Sequence, residues 1–105
     1  MIVIEVQKSS QKDKDFWNIS ALIQRAIDKF FGRVVDDTPV DTGYAASRWI
    51  NETADGDGEI SNDAPYIDVL EEGWSDQAPD GMVEINIPQL EDDIEDILEG
   101  RKTLI

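Results

Sequence analysis

The side chains in this sequence that could carry chemistry are almost all carboxylates. The stretch "DGDGE" sets Asp55, Asp57 and Glu59 on alternate residues around Gly56 and Gly58, a spacing that invites a calcium loop. An EF-hand loop beginning at Asp55 would need glycine at its sixth position and glutamate at its twelfth. Those positions hold Ile60 and Tyr66, and the segment before Asp55 does not read as a helix. Glu71 with Glu72, and the run Glu91, Asp92, Asp93, Glu95 and Asp96, offer paired carboxylates. General acid–base catalysis needs two such groups in contrasting environments, one of them desolvated so that its pKa rises. Here they crowd what reads as the exposed face of a final helix. Like charges four apart, such as Glu91/Glu95 and Asp92/Asp96, slightly destabilise an isolated helix, so this face is either solvated or met by a basic partner.

The chain has no histidine and no cysteine. That removes the commonest general base, thiol nucleophiles, zinc–thiolate sites and disulfides. No Walker or dinucleotide-binding loop is present, because Gly56 and Gly58 belong to a hairpin signal. The expectation is a protein that is not an enzyme and that carries no cofactor and no catalytic or metal-binding residue.

With 105 residues and 40% hydrophobic content, the sequence is expected to fold as one domain around a modest core. Its formal charge of −15 is unevenly placed. Residues 1–50 balance seven Lys/Arg against seven Asp/Glu, whereas residues 51–100 hold seventeen Asp/Glu and no Lys or Arg. A surface of that sign repels a phosphate backbone, so nucleic-acid binding by charge neutralisation is not expected. The plain reading is a solvated acidic face. The alternatives are a docking face for a basic partner, or a wall past which DNA slides without sticking. No run approaches the roughly 18 apolar residues of a membrane span, and "MIVIEVQK" lacks the basic start and apolar stretch of a secretion signal. A soluble cytosolic chain with no membrane partner is the expectation.

The elements that must position these groups follow from periodicity. Residues 1–12 read as a β-branched strand, "MIVIEV", and a polar linker ending near Asp13 or Asp15, either of which could cap a helix. Over 13–37, Phe16, Ile19, Ile23, Ala26, Phe30 and Val34 form an apolar helix stripe, widened by Trp17 and Phe31. Gly32 weakens the last turns without ending them. Pro39 excludes the α region for Thr38 and stops the helix around Asp36 or Asp37. Residues 38–47 then form a rigid corner, with Asp41 bonding the backbone of the next turn and Gly43 at positive φ. A β-hairpin spans 48–62 about "ADGDG". A short helix over 64–73 is capped by Asn62 or Asp63, with Pro65 in its first turn and Gly73 closing it. The tail is ambiguous. Val83, Ile85 and Ile87 alternate as a strand would, yet Val83, Ile87, Leu90, Ile94 and Ile97 form a four–three stripe through Pro88. The preferred reading is one helix over 79–100, kinked or broken at Pro88, and the fallback is a strand over 82–87 followed by a helix starting at Pro88. Trp49 and Tyr66 are expected against the helix–sheet core.

"TPVDTGYAASRW" followed by "ISNDAPYIDVLEEGWSDQAPDGMV" resembles the tail-completion, or neck, proteins of long-tailed bacteriophages, the group that includes the lambda minor tail protein Z. The resemblance covers roughly residues 20 to 90. It rests on an ordered set: Pro39, Asp41, Thr42, Gly43, Ser47, Trp49, Pro65, Tyr66, Glu71, Gly73, Ala78, Pro79 and Gly81. The chain departs from the pattern in having Tyr44, Ala45 and Ala46 after the corner, where such proteins often carry basic residues, and Ile67 where a small residue is common. The resemblance implies an α+β fold, a long helix on a small antiparallel sheet with a C-terminal helix. It further implies a virion protein assembled in the host cytoplasm, forming a homo-oligomeric ring, expected to be a hexamer, between the head-side connector and the tail terminator. DNA would pass through without specific binding. Two rivals stand beside it. An acidic DNA mimic or inhibitor binding a basic partner surface explains the charge but not the corner. A calcium-dependent or hydrolytic activity is weakened by the missing ligands and bases.

Overall fold

The computed structural model describes residues 1–7, 16–40 and 43–99, with side chains in the first helix from Ser20 onward. The chain is α+β. A strand β1 (Ile2–Val6) is followed by the long helix α1 (Phe16–Asp37), a single turn α2 (Tyr44–Ser47) and the strands β2 (Trp49–Ala54) and β3 (Asp57–Asn62). A short helix α3 (Ile67–Glu71) and a 3-10 turn (Glu84–Asn86) then lead into α4 (Ile87–Leu98). The three strands form one antiparallel sheet in the order β1-β3-β2, with Ile4 opposite Ile60 and Asn51 opposite Ile60 on the other side. Alternation puts Ile2, Ile4, Val6, Trp49 and Ile60 toward α1 and leaves Val3, Glu5, Ile50, Glu52 and Glu59 outward.

The α1 stripe does what its spacing promised. Ile27, Phe30 and Val34 are buried against Trp49, Ile60, Ile67, Met82 and Val83 in the main core. Ala26, one face over, packs with Leu22, Ile94 and Ile97 to seat α4. The helix runs through Gly32 and stops at Asp37, one residue before Thr38–Pro39, as the proline requires. The hairpin turn has Asp55 at φ 55° and Gly56 at φ 86°, the double positive φ of the primed turns that match strand twist. Gln24 of α1 accepts from the Gly56 N–H at 2.9 Å, tying the tip to the helix.

Several sequence expectations need correction. The C-terminal helix does not begin at 79 and does not run through Pro88 from upstream. Gly81 adopts φ 81°, outside the right-handed helix, and α4 starts at Ile87. Pro88 lies in its first turn, where a missing N–H has no partner to lose. Residues 82–87 are not a strand either: Val83 is already in the α region and Ile85 points to solvent. The short helix covers Ile67–Glu71 rather than 64–73, with Pro65 ahead of it and Tyr66 at its N-cap. "YAAS" is one helical turn, entered from Gly43 at φ 81°. Asp41, Thr42, the caps proposed at Asp13 and Asp15, and the contributions of Phe16, Trp17 and Ile19 to the stripe lie outside the described residues.

Candidate functional site

Glu71 organises the second half of the signature. Its Oε1 accepts the N–H groups of Met82 at 2.8 Å and Val83 at 2.9 Å, and its Oε2 accepts that of Glu84 at 3.0 Å. The first N–H groups of a helical segment have no intrahelical acceptor. A carboxylate at the end of α3 therefore caps the 3-10 turn that feeds α4, a role favoured by the positive end of the helix dipole. The loop between them is compact. Gly73, at φ 91°, follows α3, and its N–H and that of Trp74 return to the carbonyls of Leu70 and Val69. Ser75 and Ala78 form an isolated antiparallel bridge, and Gly81 N–H donates to the Ala78 carbonyl.

Two glycines let the ends of this loop touch. A Cβ on Gly73 would stand 2.2 Å from the Pro79 carbonyl oxygen, and one on Gly81 would stand 2.4 Å from that of Glu71. The signature residues Glu71, Gly73, Pro79 and Gly81 thus describe one backbone-to-backbone closure. Ala78 is buried within it.

The loop also meets the corner. Val40 N–H donates to Gln77 Oε1 at 2.9 Å. Thr38, buried, donates from Oγ1 to the Val34 carbonyl at 2.7 Å and accepts from the Trp49 indole N–H at 2.8 Å. Trp49 is 6% exposed and lies in the core as expected. Tyr66 does not: it is 42% exposed, and Ile67 takes the buried place. Ser47 Oγ bonds the Tyr44 carbonyl at 2.7 Å, a local cap rather than a reactive hydroxyl. Arg48, next in line, holds Asp63 by two bonds of 2.6 Å. Those hydrogen bonds raise the pKa of Arg48 and hold that of Asp63 below the usual carboxylate range. Asn62 fastens corner to hairpin, its amide donating to the Ala45 carbonyl at 2.8 Å.

Where corner, α3 and loop converge, an open cleft of about 420 Å³ is lined by Pro39, Gly43, Tyr44, Ala45, Tyr66, Leu70, Ser75 and Gln77. Gln77 also borders a smaller niche of about 100 Å³ between Asp37, Asp80 and Ile85. Trp74, between Gly73 and Ser75, is 75% exposed. The cleft thus has aromatic and aliphatic lining, and the adjoining niche has two carboxylates. The sequence reading missed Gln77, Tyr44 and Trp74. The available signal was three large apolar or aromatic residues, Val40, Tyr44 and Trp74, flanking turn residues where a core would not be built.

The carboxylates singled out for chemistry are scattered. Among the described residues, no three acidic side chains converge where a metal ion could sit. Glu91, Asp92 and Glu95 are exposed on α4, but Asp93 is buried and accepts from Gln89 at 3.0 Å, contrary to a uniformly solvated acidic face. On the outer sheet face, Glu5, Glu59 and Glu52 stand in one cross-strand row, where like charges repel. No family model matches this chain, and neither does any curated protein or solved structure.

Proposed function

We propose that this chain is a structural protein of a bacteriophage neck, forming a ring that joins the head-side connector to the tail. What supports the reading is that the described signature residues Glu71, Gly73, Pro79 and Gly81 are engaged in one backbone closure. The corner and the Glu71–Gly81 closure, distant in sequence, meet at the Val40–Gln77 hydrogen bond and frame one cleft. A module that must present a fixed docking surface needs such closures, here made by Gly73, Gly81 and the Glu71 carboxylate. Ring assembly is heterologous, one face of a protomer meeting a different face of the next. The cleft end and the acidic sheet face give this chain two unlike surfaces. In this role DNA passes an acidic lumen without being held.

The rival reading, an acidic decoy for a basic protein, is favoured by the Glu5–Glu59–Glu52 row, whose repulsion a cationic surface would relieve. Native mass spectrometry and negative-stain imaging of the full chain, alone and co-expressed with the products of its neighbouring genes, separate the two. Rings, and neighbours encoding portal and tail-tube proteins, are the expected result. A chain that stays monomeric beside every neighbour and binds a basic protein would overturn the neck reading.

A further inference from the structure

The cleft at the corner is apolar and aromatic, and it opens to water. Tyr44 and Tyr66 line it while remaining half exposed, and Leu70 lines it beside them. The niche that Gln77 shares with it is different, because Asp37 and Asp80 both face it. Asp37 already accepts from Asn86 at 2.9 Å, and a carboxylate retains lone pairs for a cation beyond that bond. The two compartments together ask for an extended segment with one or two cations next to aliphatic side chains.

The sequence contains such a segment. After Arg48 there is no Lys or Arg until Arg101 and Lys102, and these are followed by Thr103, Leu104 and Ile105. The other basic stretch, around Lys8, Lys12 and Lys14, has no large apolar residue between Gln7 and Asp15 to fill the cleft. In extended chain, two to three residues separate cation from aliphatic group by about 7–10 Å, and the two compartments adjoin at Gln77.

The fold also says which copy supplies it. Ala26 and Leu22 of α1 pack against Ile97 and Ile94 of α4, while Asp37 at the other end of α1 bonds Asn86. The two helices are therefore antiparallel. The niche, which Ile85 borders, lies at the start of α4, and residue 99 lies at its far end. The twelve residues of α4 span about 18 Å. Arg101 and Lys102, two and three residues past Glu99, reach only about 7–10 Å when fully stretched, so they fall short of the niche on their own chain. A neighbouring copy placed head to tail presents the same segment without that constraint.

We infer that residues 101–105 of one copy dock in the cleft of the next, Leu104 and Ile105 between Tyr44, Tyr66 and Leu70, and Arg101 or Lys102 at Asp37 and Asp80. The contact is heterologous and repeats, so it closes a ring or extends a filament. It deepens the neck reading by naming the joint, but it is tested on the purified chain without any phage component.

Sedimentation velocity of the full chain over a concentration series is the measurement. Association of the unaltered chain is expected, weakened about tenfold or more by Leu104→Asp with Ile105→Asp, and likewise by Tyr66→Asp, whose ring is half exposed. An equimolar mixture of those two variants leaves one intact cleft and one intact tail per pair, and is expected to stop at a dimer. Asp80→Lys and Lys102→Glu should each weaken association and restore it in combination. Circular dichroism confirms that each variant is folded. A chain that is monomeric up to about 1 mM refutes the docking. So does association that the tail and cleft variants leave unchanged, or that responds instead to Glu59→Gln on the sheet face. In the unchanged case rings built through other surfaces would leave the neck reading standing, so the two failures are distinguishable.

Discussion

Removing the Glu71 carboxylate is the sharpest test of how the second half of the fold is held. Three backbone N–H groups, those of Met82, Val83 and Glu84, converge on its two oxygens at 2.8 to 3.0 Å. Met82 and Val83 are buried, so water is poorly placed to replace the lost acceptor at those two. Leaving a buried donor unsatisfied costs about 1–3 kcal/mol, and losing a helix cap about 0.5–2 kcal/mol. The third bond, to Glu84, is solvent-accessible and contributes less. Glu71→Ala is therefore expected to destabilise the fold by roughly 2–4 kcal/mol. Glu71→Gln keeps one carbonyl oxygen for Met82 and Val83 but turns an amide N–H toward the Glu84 N–H, for about 1–2 kcal/mol. Glu72, exposed and adjacent, is the control: Glu72→Ala should stay within about 0.5 kcal/mol. Urea unfolding followed by circular dichroism reads all three, the alanine variant losing about 1–2 M in midpoint at a slope typical of small domains. If Glu71→Ala and Glu72→Ala unfolded at the same urea concentration, the cap would not be holding the loop and the reading of this segment would fail.

Three further outcomes follow from the same geometry. Gly43→Ala is expected to cost only about 1–2 kcal/mol, since φ is 81° but nothing lies within 4 Å of an added Cβ. Gly81→Ala must push the Glu71 carbonyl away and should lower the thermal midpoint much further; equal shifts would refute the closure. Thr38→Val leaves the buried Trp49 indole N–H without its acceptor, for about 1–3 kcal/mol, and Trp49→Phe in that background should recover part of the loss in a double-mutant cycle. The Asp63 carboxyl is held low by Arg48, so whatever it adds to stability is present above the ordinary carboxylate pKa and lost as pH falls through its lower folded value. Acid unfolding of Asp63→Asn below about pH 4 should accordingly be shallower than that of the unaltered chain, and coincident curves would show that the pair adds nothing.

The elements that were legible in the sequence are those fixed by local rules. Pro39 ends α1 because of a clash between neighbours, Asp55–Gly56 turns the hairpin because only such residues accept positive φ, and the α1 stripe needs nothing but a period. Order within the sheet was not legible, since pairing of β1 with β3 depends on contacts some 56 residues apart and not on either strand alone. The tail failed for a different reason. Its four–three stripe was real, and Ile87, Leu90, Ile94 and Ile97 do face α1, but periodicity does not say where a helix begins. Gly81 and Pro88 did say so: a positive φ ends any helix running through it, and a proline sits most easily in a first turn.

The misplacement of Tyr66 shows why the site itself was harder to read than the fold. Ala64, Ile67 and Leu70 recur every three residues, and the first two are fully buried with Leu70 packed beside them. That period was available, and it puts Tyr66 on the other side; aromatic size argued for the core only if periodicity was ignored. A large apolar residue that falls off the buried stripe is a surface choice, and here Tyr44 and Tyr66 make the same choice around one cleft. Their convergence requires the corner and the α3 loop to be brought together, which neither segment's sequence states. Likewise nothing local separates Glu71, which accepts three N–H groups, from Glu72, which has none of those bonds. The difference is made by Gly73 and Gly81, whose missing side chains let residues 79–84 approach within reach of that one carboxylate. In such a chain the residues that hold distant segments together are better sought at glycines that a Cβ would jam than at groups conspicuous in the sequence.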